Sequence, residues 1–238
     1  MYHHLNSDRC SNDYAIFETH LQFISQHMIS VFPSDSKLKK NSICLVFDDG
    51  YFDFYHLIYP LLKKYNIKAL LGVIPSVTLD TTGIDAKIRL SPEHNHLFKE
   101  YKKATFCTYE ELLEMQDSQL VQIASHSLTH VNLLENNIAL EDELKLSKSI
   151  LEEKLNTKIE SFIFPFGKYN QDILDETKKY YKYAFRIGNG INKDFNGVNG
   201  VIYRIDADNL EDASSIFNFK NMMKFRLKSF TKSLVGNK

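Results

Sequence analysis

The chain has 238 residues, 43% hydrophobic and 25% charged, with 29 basic against 30 acidic side chains. That composition belongs to a globular chain able to build a sizeable core, and it excludes disordered and fibrous classes. The net charge of −1 offers no bulk electrostatic footprint for nucleic acid or an anionic membrane, and no apolar run approaches the roughly 18 residues needed to cross a bilayer.

In chain order, Phe17, Leu21, Ile24 and Met28 form a helical stripe over residues 16–28, behind the capping cluster Ser11, Asn12, Asp13. An apolar strand at 43–47 ends in Asp48, Asp49 and Gly50, with Cys44 expected in the core. Residues 54–65 read as a helix and 69–74 as a buried strand stopped by Pro75. The stretch 76–103, with His94 and His96, is longer than ordinary connections and reads either as a lid over the site or as a variable surface loop. Thr108 and Glu111 stand in capping-box spacing at the start of a helix over 108–115, and a short strand at 121–124 runs into Ser125 and His126. The most regular helix spans 139–155, with Leu140, Leu144, Leu151 and Leu155 on one face. Strands at 161–164, 183–187 and 202–205, a helix at 171–181, and a final amphipathic helix within 215–235 complete the chain.

This alternation predicts an α/β fold with a parallel sheet, open or closed into a barrel, and a site at the C-terminal strand ends. No repeat or linker interrupts it, so residues 1–238 are expected to form a single domain. Cys10, Cys44 and Cys107 show no C-x-x-C spacing, which argues against a disulfide framework and is compatible with a reducing compartment. No basic segment followed by an apolar one opens the chain. The expected location is therefore cytoplasmic, or periplasmic or cell-envelope should the natural start lie upstream.

Two adjacent carboxylates at the end of an apolar strand need neutralising, by a bound metal, a shared proton or an arginine. His126 and His130 are four apart and can face one point. Asp49, His126 and His130 would supply three ligands to a divalent ion and leave a position open for water, with Asp48 left over as a base. Zinc, cobalt and nickel all accept this donor set. Of the aromatics nearby, Tyr51, Phe52, Phe54 and Tyr169, Tyr51 is the loose candidate for stacking on a ring.

Phe47-Asp48-Asp49-Gly50, His126-Ser127-Leu128-Thr129-His130 and Phe164-Pro165-Phe166-Gly167 resemble, in that order, the motifs of the polysaccharide deacetylases, carbohydrate esterase family four. Tyr2-His3-His4, residues 60–65 and residues 143–147 resemble the branch acting on poly-N-acetylglucosamine, and the similarity covers roughly residues 2 to 205. The resemblance implies a distorted, incomplete (β/α) barrel and a metal-dependent hydrolase, with zinc as the first expectation, that removes N-acetyl groups from N-acetylhexosamine glycans. It implies Asp49, His126 and His130 as metal ligands, Asp48 as base, the backbone N–H of Phe166 as oxyanion donor, and His3, or the adjacent His4, as the acid. The alternatives are a deacylase of a small, lipid-linked or nucleotide-linked sugar, and a glycan-binding protein of this fold that has lost activity.

Three departures from the pattern stand out. Phe164 occupies the place of an arginine that orients the base, for which Arg204, ahead of Arg186, is the expected substitute. Val46 replaces a threonine and reads as core packing. With Met1-Tyr2-His3 at the start, no room is expected for the strand that should deliver the Tyr-His pair.

Overall fold

The computed structural model describes residues 1–35 and 38–235. Six parallel strands pair in sequence order: β1 (Leu45–Phe47), β2 (Ala69–Val73), β3 (Val121–Ser125), β4 (Ser161–Ile163), β5 (Tyr183–Ile187) and β6 (Ile202–Arg204). Helices α1 (Tyr14–His27), α2 (Tyr59–Tyr65), α3 (Tyr109–Asp117), α4 (Ser147–Leu155) and α5 (Gln171–Tyr180) accompany them, and α6 (Phe219–Val235) ends the described chain. The result is a distorted, incomplete (β/α) barrel.

The period-two pleat sorts the strand residues into two packed layers. Val46, Leu70, Ala124, Ile163, Phe185 and Ile202 line the inner face. Leu45, Phe47, Ala69, Leu71, Ile123 and Phe162 alternate with them and meet the helices, including Phe17, Leu21 and Ile24 of α1 and Leu112 of α3. Val46 therefore packs in the barrel interior, as expected for an apolar residue there.

The predicted helix ends follow from local chemistry. The Asp13 carboxylate accepts from the amides of Ala15 and Ile16 at the start of α1. At α3, Thr108 and Glu111 complete a reciprocal capping box. Two predicted helices begin with a π turn, Phe54–Ile58 before α2 and Asp142–Leu146 before α4, a feature that apolar periodicity does not report. The predicted strand 43–47 breaks at Cys44, which is half-buried rather than a core residue.

Sheet closure differs from expectation. Residues 1–3 themselves lie between the two open edges. The Tyr2 amide donates to Val46 O at 3.0 Å and the Asp48 amide to Tyr2 O at 3.0 Å. On the other side Met1 bonds Ile205 O, the Ala207 amide reaches Met1 O at 3.0 Å, and the His3 amide reaches Asp208 Oδ1 at 3.0 Å. A three-residue segment thus satisfies backbone groups at β1 and just past β6 at once, and carries His3 to the barrel mouth.

The stretch 76–103 is held in place rather than loose. Arg89 is buried, forks onto Glu111 (2.6 and 2.8 Å), donates to the carbonyls of Ala104 and Phe106, and stacks over Phe52 with its guanidinium carbon 3.3 Å from the ring centre. Such a bidentate, stacked arginine fixes two segments at once. The stretch forms a fixed wall beside the barrel mouth.

Candidate active site

Asp48 follows the pleat of β1, so it faces the barrel interior with Val46. On β6 the same parity turns Arg204 inward with Ile202, while Arg186 on β5 falls on the other face. Arg204 accordingly forks onto Asp48, with Nη2 to Oδ2 at 2.9 Å and Nη1 bonded to Oδ1. Arg186 instead donates to its neighbour's carbonyl and lies over the Tyr169 ring. Burial works against the Asp48 charge, but the guanidinium outweighs it and holds the carboxyl below its ordinary range. Phe164, in the place expected for an arginine, is fully buried and stacks on Tyr169 at 4.8 Å.

Asp49 leaves the strand with φ 69, a left-handed conformation that turns its side chain away from the pleat, and Gly50 continues the turn at φ 70. A Cβ at Gly50 would meet Gly72 O at 3.3 Å, so the turn is both left-handed and tight. Asp49 Oδ1 lies 3.3 Å from His126 Nε2 and 3.2 Å from His130 Nε2.

The histidine pair is set by strand β3 and the loop after it. His126 bonds Ile163 O through Nδ1 at 2.8 Å, which places the proton on that nitrogen and leaves an Nε2 lone pair toward Asp49. Ser127 and His130 take left-handed φ values of 66 and 59, and the His130 amide donates to Ser127 Oγ at 2.9 Å. Burial pulls the His130 pKa down to about 4, against the opposing pull of Asp49. It is a neutral imidazole at neutral pH, the form a metal requires.

These residues fit a divalent cation. Asp49 Oδ1 is buried and receives no hydrogen bond, although two imidazole nitrogens converge on it. Lone pairs facing one another in a buried space are repulsive unless a cation lies among them. Bonds of about 2.0 to 2.2 Å around a tetrahedral centre separate the ligand atoms by roughly 3.3 to 3.6 Å, matching the observed spacing. The donor set of two imidazoles and one carboxylate is one that zinc, cobalt or nickel accepts.

Opposite this cluster stands His3. Its Nε2 is 3.9 Å from Asp48 Oδ2, and its Nδ1 bonds Asp208 Oδ2 at 2.5 Å. Burial opposes the imidazolium charge, but the bond to Asp208 and the nearby Asp48 and Asp49 carboxylates outweigh it and push the His3 pKa up to about 9. His4 points elsewhere, its ring bonded to Asp53 and His94 and stacked on Tyr51 at 4.0 Å. Tyr51 is only 2% exposed, so, contrary to the stacking expectation, it offers no face to a sugar ring. Phe52 and Phe54 are likewise core. The open aromatic at the mouth is Phe166, 57% exposed, at φ 57, with its ring 4.7 Å from that of His130. Phe98, from the 76–103 wall, stacks on His130 at 5.3 Å.

Two further residues of the site were given no role by the sequence reading, although Glu143 opens the 143–147 segment that carries part of the resemblance. Asp208 lies in an irregular segment after β6 and meets His3 only through barrel closure. Glu143, in the π turn before α4, is buried and accepts the amides of Leu128 and Thr129 at 2.9 and 3.0 Å and the Thr129 hydroxyl at 2.6 Å. It braces the loop that sets both histidines, while Ser147 bonds Ser125 at the end of β3. Glu143→Ala should destabilise the fold by about 2 to 3 kcal/mol, since it strands buried donors. It should also weaken zinc binding about 10- to 100-fold by chelator titration; unchanged zinc affinity would show that the loop holds its shape without this carboxylate.

A sequence profile of the polysaccharide deacetylase family matches residues 35–184. A Bacillus subtilis (strain 168) protein named for this family, YxkH, is 27% identical over 148 residues, covering 61% of this chain and 44% of its own. The poly-beta-1,6-N-acetyl-D-glucosamine N-deacetylase of Escherichia coli O157:H7 is 27% identical over 183 residues, covering 65% of this chain and 26% of its own. The chain thus spans less than half the length of either relative. Among solved structures, the Streptococcus pyogenes deacetylase PplD in complex with acetate superposes with a TM-score of 0.71 at 24% identity, covering 94% of each chain. The matched profile takes in Asp48, Asp49, His126, His130 and Phe166, and the chain belongs to the polysaccharide deacetylase family.

Proposed function

We propose that the protein is a metal-dependent hydrolase, first of all a zinc enzyme, that removes N-acetyl groups from N-acetylhexosamine-containing glycans. The observation that carries this reading is the convergence of an Asp49, His126, His130 cluster with an Arg204-held Asp48 and an Asp208-held His3 at one barrel mouth. When bound by Asp49, His126 and His130, the ion supplies Lewis acidity that polarises the amide carbonyl and lowers the pKa of water.

The protein's own groups do the rest. Asp48, fixed by Arg204, accepts a proton from the attacking water as its oxygen bonds to the acetamide carbon. The backbone N–H of Phe166, on a turn fixed by Pro165 and Gly167, is the donor assigned to the oxygen that gains charge. His3 gives its Nε2 proton to the nitrogen as the C–N bond breaks, which releases acetate and a free amine. Asp208 keeps the His3 ring in place and stabilises its charged form. Two features that would suit a lost activity, Phe164 for arginine and an acid without a place, have counterparts in Arg204 and His3, which favours the enzyme over the binding protein. The contacts of residues 1–3 with residues 205–208 support reading the chain as one catalytic domain.

The test is acetate release from poly-N-acetylglucosamine and chito-oligomers by zinc-loaded protein, against chelated protein. Release from neither by fully metallated protein would sink the glycan reading, and release from a nucleotide-linked or lipid-linked sugar alone would move the substrate. The pH profile adds a second check. An acid with a pKa of about 9 stays protonated through neutrality, so the rate should fall as pH rises through about 9. Asp208→Asn removes the charged partner and should draw that limb down by about one unit or more. A limb that stays put would remove His3 as the acid.

A further inference from the structure

Helix α6 carries a surface that neither the barrel nor its site uses. It docks on the segment around β6 through one side only. Phe225 is buried, Ser229 Oγ accepts the Ile191 amide at 2.6 Å, and Lys232 lies 4.1 Å over the Tyr203 ring. At about 100° per residue, Phe219, Met223, Leu227, Phe230 and Leu234 fall within an arc of about 80° on the opposite side. All five are open to solvent, from 48% for Met223 to 82% for Phe219. Single exposed apolar residues are ordinary, but a stripe of five along a whole helix is not.

Charge identifies what would cover the stripe. The chain is balanced at −1 overall, yet α6 holds Lys220, Lys224, Arg226, Lys228 and Lys232 and no acidic residue. By helical position Arg226 borders the stripe on one side and Lys220 and Lys224 on the other, and all three are exposed. A second copy of this chain would bring Lys224 and Arg226 against the same cations, with no carboxylate on either helix to pair them. An anionic lipid surface meets both demands at once, because it accepts the apolar side chains below the headgroups and attracts the flanking cations. Among the described residues no helix is long and apolar enough to cross a membrane, so the contact lies in the interface plane. The near-zero net charge conceals this segregation.

We propose that α6 is an in-plane membrane anchor that docks the catalytic barrel on an anionic lipid bilayer. The test is co-sedimentation of the full chain with phosphatidylcholine vesicles containing one-quarter phosphatidylglycerol, against phosphatidylcholine alone. Binding should favour the anionic vesicles and weaken as salt rises. Leu227→Ser with Phe230→Ser should reduce it about tenfold or more, and Lys220→Gln with Lys224→Gln about fivefold per charge removed. Circular dichroism and acetate release from a soluble chito-oligomer should be unchanged in these exposed-site variants. Equal binding to both vesicles, or full binding by the Leu227→Ser, Phe230→Ser protein, would overturn the proposal. So would a dimer in sedimentation velocity that these two substitutions dissolve, or binding to an acidic polypeptide with none to vesicles.

Discussion

Asp48→Asn is expected to lower kcat by about 10³-fold while the protein keeps its full complement of zinc. The carboxylate touches Arg204 and lies 3.9 Å from His3 Nε2, and it is absent from the Asp49, His126, His130 cluster. Asparagine keeps the shape and an acceptor for Arg204, but it has no basic oxygen to receive a proton. Asp49→Ala should behave in the opposite way, with loss of zinc by elemental analysis and loss of rate following from it. If Asp48→Asn emptied the site as thoroughly as Asp49→Ala, the division of the pair into base and ligand would be wrong.

Arg204→Met should be the most destabilising single change near the site. It leaves the Asp48 carboxylate, 3% exposed, in the barrel interior without its counter-charge. Breaking one partner of a buried pair costs about 3 to 5 kcal/mol, which for a chain of this size is a fall in Tm of roughly 10 °C. The double variant Arg204→Met with Asp48→Asn removes the stranded charge and should recover much of that loss, a coupling that a thermodynamic cycle measures directly. A single variant melting within a degree or two of the parent would mean that water reaches Asp48 and that Arg204 is not what holds it. Arg204→Lys should recover little activity, because a single ammonium cannot reproduce the two-point fork.

The chain's local chemistry made much of this architecture readable. Alternating apolar runs and helical stripes place all six strands within a residue or two, and the Asp13 and Thr108 caps appear where short polar residues precede an apolar period. The residue types able to hold a cation were readable for the same reason. Asp49 sits at a strand end and the two histidines lie four apart, so each position was defined by its neighbours in sequence. The expectation for Arg204 over Arg186 rested on strand placement, and the pleat provides the physical basis: the two differ in parity relative to the inner layer.

What depended on long-range closure was not readable. Whether residues 1–3 could reach the mouth turned on hydrogen bonds to two sheet edges far apart in the chain, and nothing local to Met1-Tyr2-His3 announces them. Asp208 became the partner of His3 for that reason, and Glu143 reached the histidine loop only because a π turn and barrel packing brought it there. Tyr51, placed next to the acidic pair by sequence, was drawn into the core by stacking on His4. The sequence by itself determined the strand and helix order, the caps, and the aspartate and histidines able to hold a cation, because periodicity, capping and donor type act between near neighbours. Only the tertiary structure decided how residues 1–3 reach the mouth, which carboxylate holds His3, and which face of the last helix stays uncovered, because those pairings form between segments that meet only when the sheet closes.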